Sequence, residues 1–377
     1  MKDAGTAPAG ARRLLVLGCS GFIGSHLLDR LAGDGRSEII GWDLNSDKIE
    51  QHIDHGRLVF RQHSVADPAF REQLRADVKW ADWVINLSAV CNPSQYNTEP
   101  LLTLYTNFID AYHLVELAAE SNTPLMHFST SEVYGRTIAS YLPNNRYDDP
   151  SLFELDTERS PLLLGPTQNQ RWSYAAAKQL MERLIYAYHH ERGLPYVIIR
   201  PFNFFGPRMD YIRGIEGEGK PRVLACFLGA LLLGEPLEIV DGGGALRTIT
   251  SIHDAIDATV AALDRPGALN HIFNIGNPAN EVSMLELAHM MRDVMAEVSG
   301  DVRYRNHPLV HVSSQAFYGP GYEDCDRRML DIGKETAVLG WTPKTPLREV
   351  LHETISYYYD LYGRKADQAA ISRAATG

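Results

Sequence analysis

The sequence predicts a doubly wound α/β fold, in which a parallel sheet carries helices on both faces and a smaller α/β lobe follows. Short apolar runs alternate with amphipathic segments from residue 12 to residue 202. Strands that alternate with helices in this way form parallel sheets. A loop with regularly spaced glycines follows the first apolar run. Beyond residue 203 the segments become shorter and less regular, which indicates the second lobe.

Composition narrows the class of protein. The chain has 377 residues, enough for two lobes, and a net charge of −11 without a Lys/Arg run, which argues against a nucleic-acid partner. The four cysteines lack the spacing of metal ligands or disulfides, so we expect no metal site and a reducing, cytoplasmic location. The apolar run after Arg13 is too short for a signal peptide, and no segment is long enough to cross a membrane.

Six apolar runs are expected to form the sheet, because each is short and bounded by turn residues or helical segments. They are residues 13–17, 38–43, 57–63, 82–89, 124–131 and 195–203. A helix is expected directly after the glycine loop. Two further segments, 101–120 and 173–193, have apolar residues at helical spacing and are expected to be long helices. Gly193 ends the second of them.

The domain boundaries follow from where this alternation stops. The predicted regions are a nucleotide-binding domain at 12–202, to which the chain returns around 248–264, a second lobe at 203–365, and disordered tails at 1–11 and 366–377. Residues 206–222 are rich in Gly, Pro and charge, which is typical of a long functional loop. The second lobe is expected to contain short elements at 236–243 and 271–278 and a helix near 283–297.

The glycine loop indicates a dinucleotide site. Gly18, Gly21 and Gly24 have the spacing G-x-x-G-x-x-G between a predicted strand and a predicted helix. Glycine permits the tight turn and lets backbone N–H groups approach a pyrophosphate, which the helix N-terminus also attracts. Asp43 stands at the end of the next strand. Its carboxylate suits a ribose diol and would repel a 2′-phosphate, so the sequence favours NAD over NADP.

A second group of residues indicates acid–base chemistry. Tyr174 and Lys178 are four residues apart and share one face of a predicted helix. A phenol has a pKa near 10, and a nearby ammonium together with a positive nicotinamide ring would lower it. The stretch FSTSEVYG places Thr130, Ser131 and Glu132 where a buried strand is expected to meet the surface.

Together, the glycine loop, the Ser/Thr strand end and Y-x-x-x-K resemble the extended short-chain dehydrogenase/reductase superfamily, whose Rossmann sheet binds NAD. Longer stretches, among them STSEVYG, QRWSYAAAKQL, RPFNFFGPRMD and FYGPGYEDCDRR, resemble its UDP-glucuronate decarboxylase group. The similarity is closest to UDP-apiose/UDP-xylose synthases. It extends to the decarboxylase domain of the bacterial aminoarabinose lipid A pathway, and it covers residues 13–360.

The resemblance implies a reaction on UDP-glucuronate, in which oxidation at C4 makes a β-keto acid that loses carbon dioxide. Tyr174 would be the acid/base, Lys178 would steady it, Glu132 would relay a proton to C5, and Arg328 would hold the carboxylate or the enolate. Ser131 or Thr130 would bind the substrate hydroxyl. The implied catalytic residues are Tyr174, Lys178, Ser131, Glu132, Arg328, Cys91 and Thr130.

The resemblance also implies binding residues for both ligands. The NAD contacts would be Gly18, Gly21, Phe22, Ile23, Gly24, Asp43, Asn45, Ser64, Leu87, Ser88, Ala89, Asn107, Tyr174, Lys178 and Pro201. The UDP-sugar contacts would be Cys91, Tyr96, Arg171, Asn203, Arg222, Arg247, Tyr322 and Arg328. Arginine suits phosphate because its planar fork donates two hydrogen bonds at once. Ser64 departs from the family, which often has Asp or Asn near the adenine.

The resemblance leaves the product open. A 4-keto pentose intermediate can be released with NADH, reduced to UDP-xylose, or ring-contracted and reduced to UDP-apiose. Apiose-forming relatives carry cysteine at two positions near the sugar, and this chain has Cys91 at the first and Ser131 at the second. The sequence favours UDP-apiose and/or UDP-xylose. Release of the 4-keto pentose, another epimerase or dehydratase activity, and a non-catalytic NAD-binding subunit remain alternatives.

The resemblance further implies a homodimer. The two long predicted helices, at 101–120 and 173–193, would pair with their copies across a two-fold axis and form a four-helix bundle.

Overall fold

A computed structural model describes most of the chain. The described residues are 11–53, 58–143, 147–209, 211–217, 219–319 and 323–363. Tyr322 and the two predicted disordered tails, except Ala11, lie outside them.

The strands of the described residues are two to seven residues long. In chain order they are β1 (Arg12–Leu17), β2 (Ser37–Asp43), β3 (Leu58–Gln62), β4 (Trp83–Asn86), β5 (Leu125–Phe128), β6 (Glu154–Leu155), β7 (Tyr196–Pro201), β8 (Phe204–Phe205), β9 (Leu237–Val240), β10 (Leu246–Thr248), β11 (Thr250–Ser251), β12 (His271–Ile275), β13 (Glu281–Ser283), β14 (Leu309–Val312) and β15 (Arg327–Leu330).

The α-helices are α1 (Phe22–Asp34), α2 (Glu50–Ile53), α3 (Arg71–Trp80), α4 (Pro93–Thr98), α5 (Pro100–Leu104), α6 (Asp110–Ser121), α7 (Ser173–Arg192), α8 (Val223–Leu233), α9 (Ile252–Asp264), α10 (Met284–Ser299), α11 (Ser314–Tyr318), α12 (Gly333–Leu339) and α13 (Leu347–Tyr358). A π-helical turn, Tyr105–Ile109, joins α5 to α6, so the predicted long helix is one continuous segment with a bulge.

The main sheet is parallel and has seven strands in the spatial order β3-β2-β1-β4-β5-β7-β12. This is the predicted doubly wound arrangement. The strand order reverses between β1 and β4, and ligands of such sheets bind outside the carboxyl ends of the strands at this reversal. The fold therefore places the functional site where β1, β4 and β5 end.

Strand β1 shows why both faces of the sheet are covered. Leu14 and Val16 belong to a core cluster that contains the apolar faces of α1 and α9. Leu15 and Leu17 belong to a second cluster with α3, α6 and α7. Successive side chains of a strand point to opposite faces, so a continuous apolar run needs helices on both sides.

One element lies elsewhere than the sequence predicted. Residues 271–278 were expected in the second lobe, whereas His271–Ile275 pairs in parallel with β7 as the edge strand of the main sheet. Phe273 and Ile275 are buried in the same core cluster as α1 and α9. Strand pairing over so long a sequence separation leaves no local signal, so the apolar run alone could not show which sheet it joins.

The second lobe has a small sheet in the order β13-β10-β15-β6, whose edge strand β6 comes from the predicted nucleotide-binding domain, residues 12–202. Its core packs the apolar faces of α8, α10 and α13 together. Strands β10 and β15 are parallel, and Arg247 stands directly opposite Arg328 in their register. This pairing places two arginines side by side.

A buried ion pair joins α7 to the main sheet. Arg200 of β7 donates to both carboxylate oxygens of Glu182, at 3.0 and 2.6 Å. The Ser129 hydroxyl, directly after β5, donates to the same carboxylate at 2.5 Å. All three residues are buried. The contacts fix α7 against the ends of β5 and β7.

Replacing Glu182 with Ala should lower the free energy of unfolding by about 3–5 kcal/mol, because the guanidinium of Arg200 would be left buried without its partner. Urea unfolding measures this change. Glu191→Ala, an exposed position on the same helix, is the control and should stay within about 0.5 kcal/mol of wild type. A loss of less than about 1 kcal/mol in Glu182→Ala would contradict the role of the pair.

Candidate active site

The glycine loop forms a tight cradle between β1 and α1. A Cβ on Gly24 would lie 2.3 Å from the carbonyl oxygen of Gly18, and one on Gly18 would lie 2.9 Å from backbone atoms of Leu87 and Ser88. Gly18 also has a φ of +79°, which favours glycine. Gly21 caps α1 with no side-chain hydrogen bond. The first N–H groups of this helix therefore suit a pyrophosphate, which fits bound NAD.

Asp43 stands beside this loop, at the end of β2. Its carboxylate accepts hydrogen bonds from the backbone N–H of Ser20 and of Leu44, both at 2.7 Å. Burial raises its pKa, against the lowering effect of these hydrogen bonds. Asn45 accepts from the Ser20 hydroxyl at 3.4 Å. Each carboxylate oxygen keeps a second lone pair, so the predicted contact with a ribose diol is compatible with the loop.

The other predicted NAD residues surround the same edge of the sheet. Phe22 and Ile23 form the first turn of α1, and Pro201 ends β7. Asn107 lies in the π-helical turn and donates to the carbonyls of Val90 and Thr103, so it holds the segment that contains Ala89. Ser64 accepts from the N–H of Ala66 in a local turn after β3. Their contacts with NAD stay predictions.

Tyr174 and Lys178 lie in the first turns of α7, and both are buried. The ring of Tyr174 stacks on Tyr96 with centroids 4.8 Å apart, and its hydroxyl is hydrogen-bonded to Thr130. The ammonium of Lys178 donates to the Phe128 carbonyl at 2.9 Å. Helix α7 thus brings both predicted catalytic side chains to the end of β5.

Burial governs the pKa of both groups. Desolvation, reinforced by Cys91 and Glu132, raises the pKa of Tyr174 well above its ordinary value. Burial lowers the pKa of Lys178 to about 8. The predicted lowering of the pKa of Tyr174 needs the ammonium of Lys178 together with a bound nicotinamide ring. In the chain alone, desolvation of the phenolate is the largest effect on this pKa.

The turn after β5 places a carboxylate beside Tyr174. Ser131–Tyr134 form a single 3₁₀ turn, which Thr130 caps by accepting from the N–H of Glu132 at 3.1 Å. This strand is shorter than predicted, because the turn begins at Ser131. Glu132 accepts from the Arg171 guanidinium at 2.5 Å. Arg171 comes from the 3₁₀ turn directly before α7, so both sides of the site meet in this ion pair.

Sequence reasoning missed one member of the site, Asp324. Its carboxylate lies 2.7 Å from Arg247, 3.6 Å from Arg328 and 3.7 Å from Arg171. Burial by itself would raise the pKa of Asp324, but these three arginines hold it well below its usual range. The sequence offered one signal, an acid four residues before Arg328, without the fold that brings the other arginines to it.

A cavity of about 640 Å³ is lined by residues 89–95, which follow β4, and by residues 221–222, which precede α8. Exposed Cys91 lines it together with Arg222, whose guanidinium lies 5.8 Å from the Phe22 ring centroid at the glycine loop. The cavity is therefore lined both by a predicted NAD contact, Ala89, and by two predicted sugar contacts. Asn203, with a φ of +42°, donates its amide to the Thr248 carbonyl at 2.9 Å, which ties the main sheet to the second lobe.

Of two other predicted sugar contacts, Tyr96 and Tyr322, the structure describes only Tyr96. Tyr96 is buried beneath Tyr174, with the Arg171 guanidinium 5.6 Å from its ring centroid. Tyr96 therefore packs against the ring of Tyr174. Tyr322 lies outside the described residues.

Comparison with known proteins gives the family. The model of the NAD dependent epimerase/dehydratase family matches residues 14–276. The chain belongs to this family. UDP-D-apiose/UDP-D-xylose synthase 1 of Arabidopsis thaliana is 45% identical over 374 residues, which are 96% of this chain and 95% of that protein. UDP-D-apiose/UDP-D-xylose synthase of Oryza sativa subsp. japonica is 45% identical over 379 residues, 98% and 94% of the two chains.

A solved structure supports the same membership in the epimerase/dehydratase family. The crystal structure of the PbgP3 protein from Burkholderia pseudomallei has a TM-score of 0.80 and 31% identity, and the match covers 94% of this chain and 98% of that one.

The described residues of this chain contain no cluster of His, Cys, Asp and Glu that could hold a metal ion. Among the same residues, no helix is long and apolar enough to cross a membrane.

Replacing Gly24 with Ala should weaken NAD binding at least ~10-fold, or by about 1.4 kcal/mol, because the added Cβ would open the cradle. Calorimetric titration of NAD into NAD-free protein measures the affinity. The control is Gly33→Ala in the same helix, where a Cβ meets nothing within 4 Å. The control should bind NAD normally and gain about 0.5–1 kcal/mol of stability. Equal NAD affinities in the two variants would contradict the cradle.

Proposed function

We propose that the protein is an NAD-dependent decarboxylase of UDP-glucuronate that forms UDP-apiose and/or UDP-xylose. The observation that carries the proposal is that Tyr174, Glu132 and an arginine cluster meet beside the glycine loop. The two plant relatives, named UDP-apiose/UDP-xylose synthases and 45% identical to this chain, support the same substrate and reaction.

The first step is oxidation at C4 of the sugar. Bound NAD supplies a positively charged ring that accepts the hydride from C4. Tyr174 accepts the proton of the 4-hydroxyl, and Thr130, hydrogen-bonded to Tyr174, orients that hydroxyl together with Ser131. Because burial keeps the phenol protonated in the chain alone, proton removal by Tyr174 depends on a positive charge nearby. In this proposal Lys178, which donates to the Phe128 carbonyl in the chain alone, stabilises the ribose and the phenolate.

Decarboxylation follows from the new ketone. The carboxylate on C5 is β to that carbonyl, so loss of carbon dioxide leaves an enolate. Arg328 and its neighbours provide positive charge in a site that is largely shielded from water, where such charge is most effective. Glu132, whose orientation is set by Arg171, then relays a proton from water to C5, which replaces the carbon dioxide that has left. The intermediate is a UDP-4-keto pentose.

The sugar contacts of Asn203, Arg222 and Arg247 complete the proposal. The position of Arg222 at the cavity, near Phe22 of the glycine loop, supports a contact with the diphosphate. Tyr322 stays a predicted contact. A competing outcome is release of the 4-keto pentose with NADH, which the serine at position 131 favours over ring contraction. A reducing, cytoplasmic location is also proposed, since the four cysteines, all among the described residues, form no disulfide.

The purified protein with UDP-glucuronate and NAD should release carbon dioxide and yield UDP-apiose, its cyclic phosphate or UDP-xylose with little net NADH. Nuclear magnetic resonance identifies the products, and nicotinamide absorbance follows the redox state. Tyr174→Phe should lower kcat at least ~100-fold, whereas Tyr186→Phe, exposed on the same helix, should match wild type. Full activity in Tyr174→Phe would disprove the catalytic role, and stoichiometric NADH would identify the releasing class.

Replacing Cys91 with Ala should reduce UDP-apiose far more than UDP-xylose, because the exposed thiol lines the cavity near Tyr174 and only ring contraction would use it. The ratio of the two products, measured by nuclear magnetic resonance, tests this. Cys226→Ala, which alters a different cavity, should leave the ratio unchanged. Equal losses of both products in Cys91→Ala would rule out a ring-contraction role for this thiol.

We also propose a homodimer through a four-helix bundle. The segment α5–α6 packs beside α7 and exposes Leu101, Tyr105 and Ile109 at helical spacing. Leu180 of α7 is exposed as well. Exposed apolar side chains in such a group are typical of an interface, and a two-fold axis would bury both helices of each copy.

Leu101→Glu should convert the dimer to monomers in sedimentation velocity, because a carboxylate in an apolar interface is desolvated without a partner. Leu101 is 70% exposed in the single chain. The control is Val302→Glu, at a side chain of 68% exposure in the second lobe, which should leave the oligomeric state of wild type. A monomeric wild-type protein would refute the dimer.

A further inference from the structure

One buried side chain beside the candidate site, that of Tyr134, has no role in the proposed reaction. The 3₁₀ turn Ser131–Tyr134 contains Glu132 and ends with Tyr134. The side chain of Glu132 is 17% exposed, whereas Tyr134 is only 1% exposed. Because both residues belong to the same short turn, a shift of Tyr134 would also move the carboxylate of Glu132.

The hydroxyl of Tyr134 has a specific acceptor in the main sheet. It donates to Oδ1 of Asn274, on β12, at 2.9 Å. The amide Nδ2 of Asn274 donates to the Leu155 carbonyl at 2.9 Å, and its backbone N–H donates to Glu335 at 2.6 Å. Since Nδ2 is bonded to a carbonyl, the amide oxygen is the atom that faces the phenol. Burial raises the pKa of Tyr134 to about 12, so the phenol stays protonated and remains a donor.

The ring of Tyr134 lies against the ion pair that holds α7. The guanidinium of Arg200 is 4.7 Å from the ring centroid, within the range of a cation–π contact. Arg200 is paired with Glu182 of α7, eight residues after Tyr174. The turn that contains Glu132 and the helix that contains Tyr174 are therefore supported by the same buried pair.

The contact of Tyr134 with β12 differs from the other contacts of the turn. The N–H of Leu163, in a neighbouring loop, donates to the Tyr134 carbonyl at 3.0 Å. Arg171 donates to the carboxylate of Glu132, so it orients that side chain. The hydrogen bond to Asn274 instead connects the turn to a strand of the main sheet, and it therefore relates the position of the turn to the core of the fold.

We propose that Tyr134 is a positioning residue that sets the place of the Glu132 carboxylate through its hydrogen bond to Asn274. This inference rests on the proposed function, in which Glu132 relays a proton. Loss of carbon dioxide leaves the electron pair of the broken bond on the enolate, and Glu132 passes a proton from water to C5. Buried Tyr134 acts on this step through Glu132, because a displaced carboxylate transfers the proton more slowly.

The test removes the hydroxyl and keeps the ring, in Tyr134→Phe. Single turnovers of the NAD-loaded full-length chain with UDP-glucuronate separate the two steps. The rise of NADH absorbance should stay within about 2-fold of wild type, because oxidation at C4 depends on Tyr174. The C5-protonated pentose, measured by nuclear magnetic resonance after rapid quenching, should form about 3- to 30-fold more slowly. Equal slowing of both steps would indicate a structural role and overturn the inference.

Tyr196→Phe is the matched control. Tyr196 is 3% exposed and begins β7, at the end opposite the site, so both rates should equal those of wild type. Asn274→Ala removes the acceptor, leaves Tyr134 intact and should slow the same step as Tyr134→Phe. This variant decides the question if urea unfolding shows that Tyr134→Phe does not fold. A wild-type rate of C5 protonation in Asn274→Ala would then overturn the inference.

A double variant shows whether Tyr134 acts through Glu132. Glu132→Gln should slow C5 protonation, and adding Tyr134→Phe should slow that step no further, because the carboxylate that Tyr134 positions is already absent. Losses that multiply in the double variant would mean that Tyr134 acts independently of Glu132, which contradicts the inference.

The remaining outcomes separate the inference from the proposed function. If wild type does not decarboxylate UDP-glucuronate, the proposed function fails, and the inference fails with it. If Glu132→Gln protonates C5 at the wild-type rate, the proposed role of Glu132 fails, again together with the inference. If wild type and Glu132→Gln behave as proposed and Tyr134→Phe protonates C5 as fast as wild type, the inference alone fails.

Discussion

The buried pair of Glu182 and Arg200 is the interaction on which the geometry of the site depends. It connects α7 to β7, and Ser129 extends it to the end of β5. Lys178 is one turn earlier on the same helix and binds the Phe128 carbonyl. A helix packed only by apolar side chains could slide or rotate by fractions of an ångström. Directional hydrogen bonds to a strand end remove that freedom, at Lys178 and Glu182, about one and two turns after Tyr174.

The burial of charged side chains at this site costs free energy of folding. Glu182, Arg200, Lys178, Arg171 and Arg328 are all largely removed from water, and each desolvated ion is stable only when it is paired or hydrogen-bonded. Two kinds of contact offset this desolvation free energy. Under α7, Glu182 is paired with Arg200, and Lys178 donates to the Phe128 carbonyl. In the proposed sugar site, Arg171, Arg247 and Arg328 lie near the carboxylate of Asp324, and two buried donors of Arg328 have no acceptor among the described residues.

Much of the fold and part of the site could be predicted from the sequence, because their signals are local. One strand–loop–helix–strand unit contains the apolar run 13–17, the glycines Gly18, Gly21 and Gly24, and Asp43. The spacing of these residues predicts a dinucleotide site. Tyr174 and Lys178 share a helix face through helical periodicity alone. The alternation of strands and helices similarly indicates a parallel sheet with its site at the carboxyl ends.

Contacts between distant segments were decided only by the tertiary structure. Nothing in the local sequence of the seventh strand, His271–Ile275, indicates that it pairs with β7. The sequence likewise does not distinguish Asp324 from other loop acids, because its contact with Arg247 depends on the pairing of β10 and β15. Burial decided the pKa of Tyr174 and of Lys178 in the same way. Spacing along the chain determines which side chains share a face, whereas desolvation and charge pairing depend on everything packed around a group, which the sequence alone does not show.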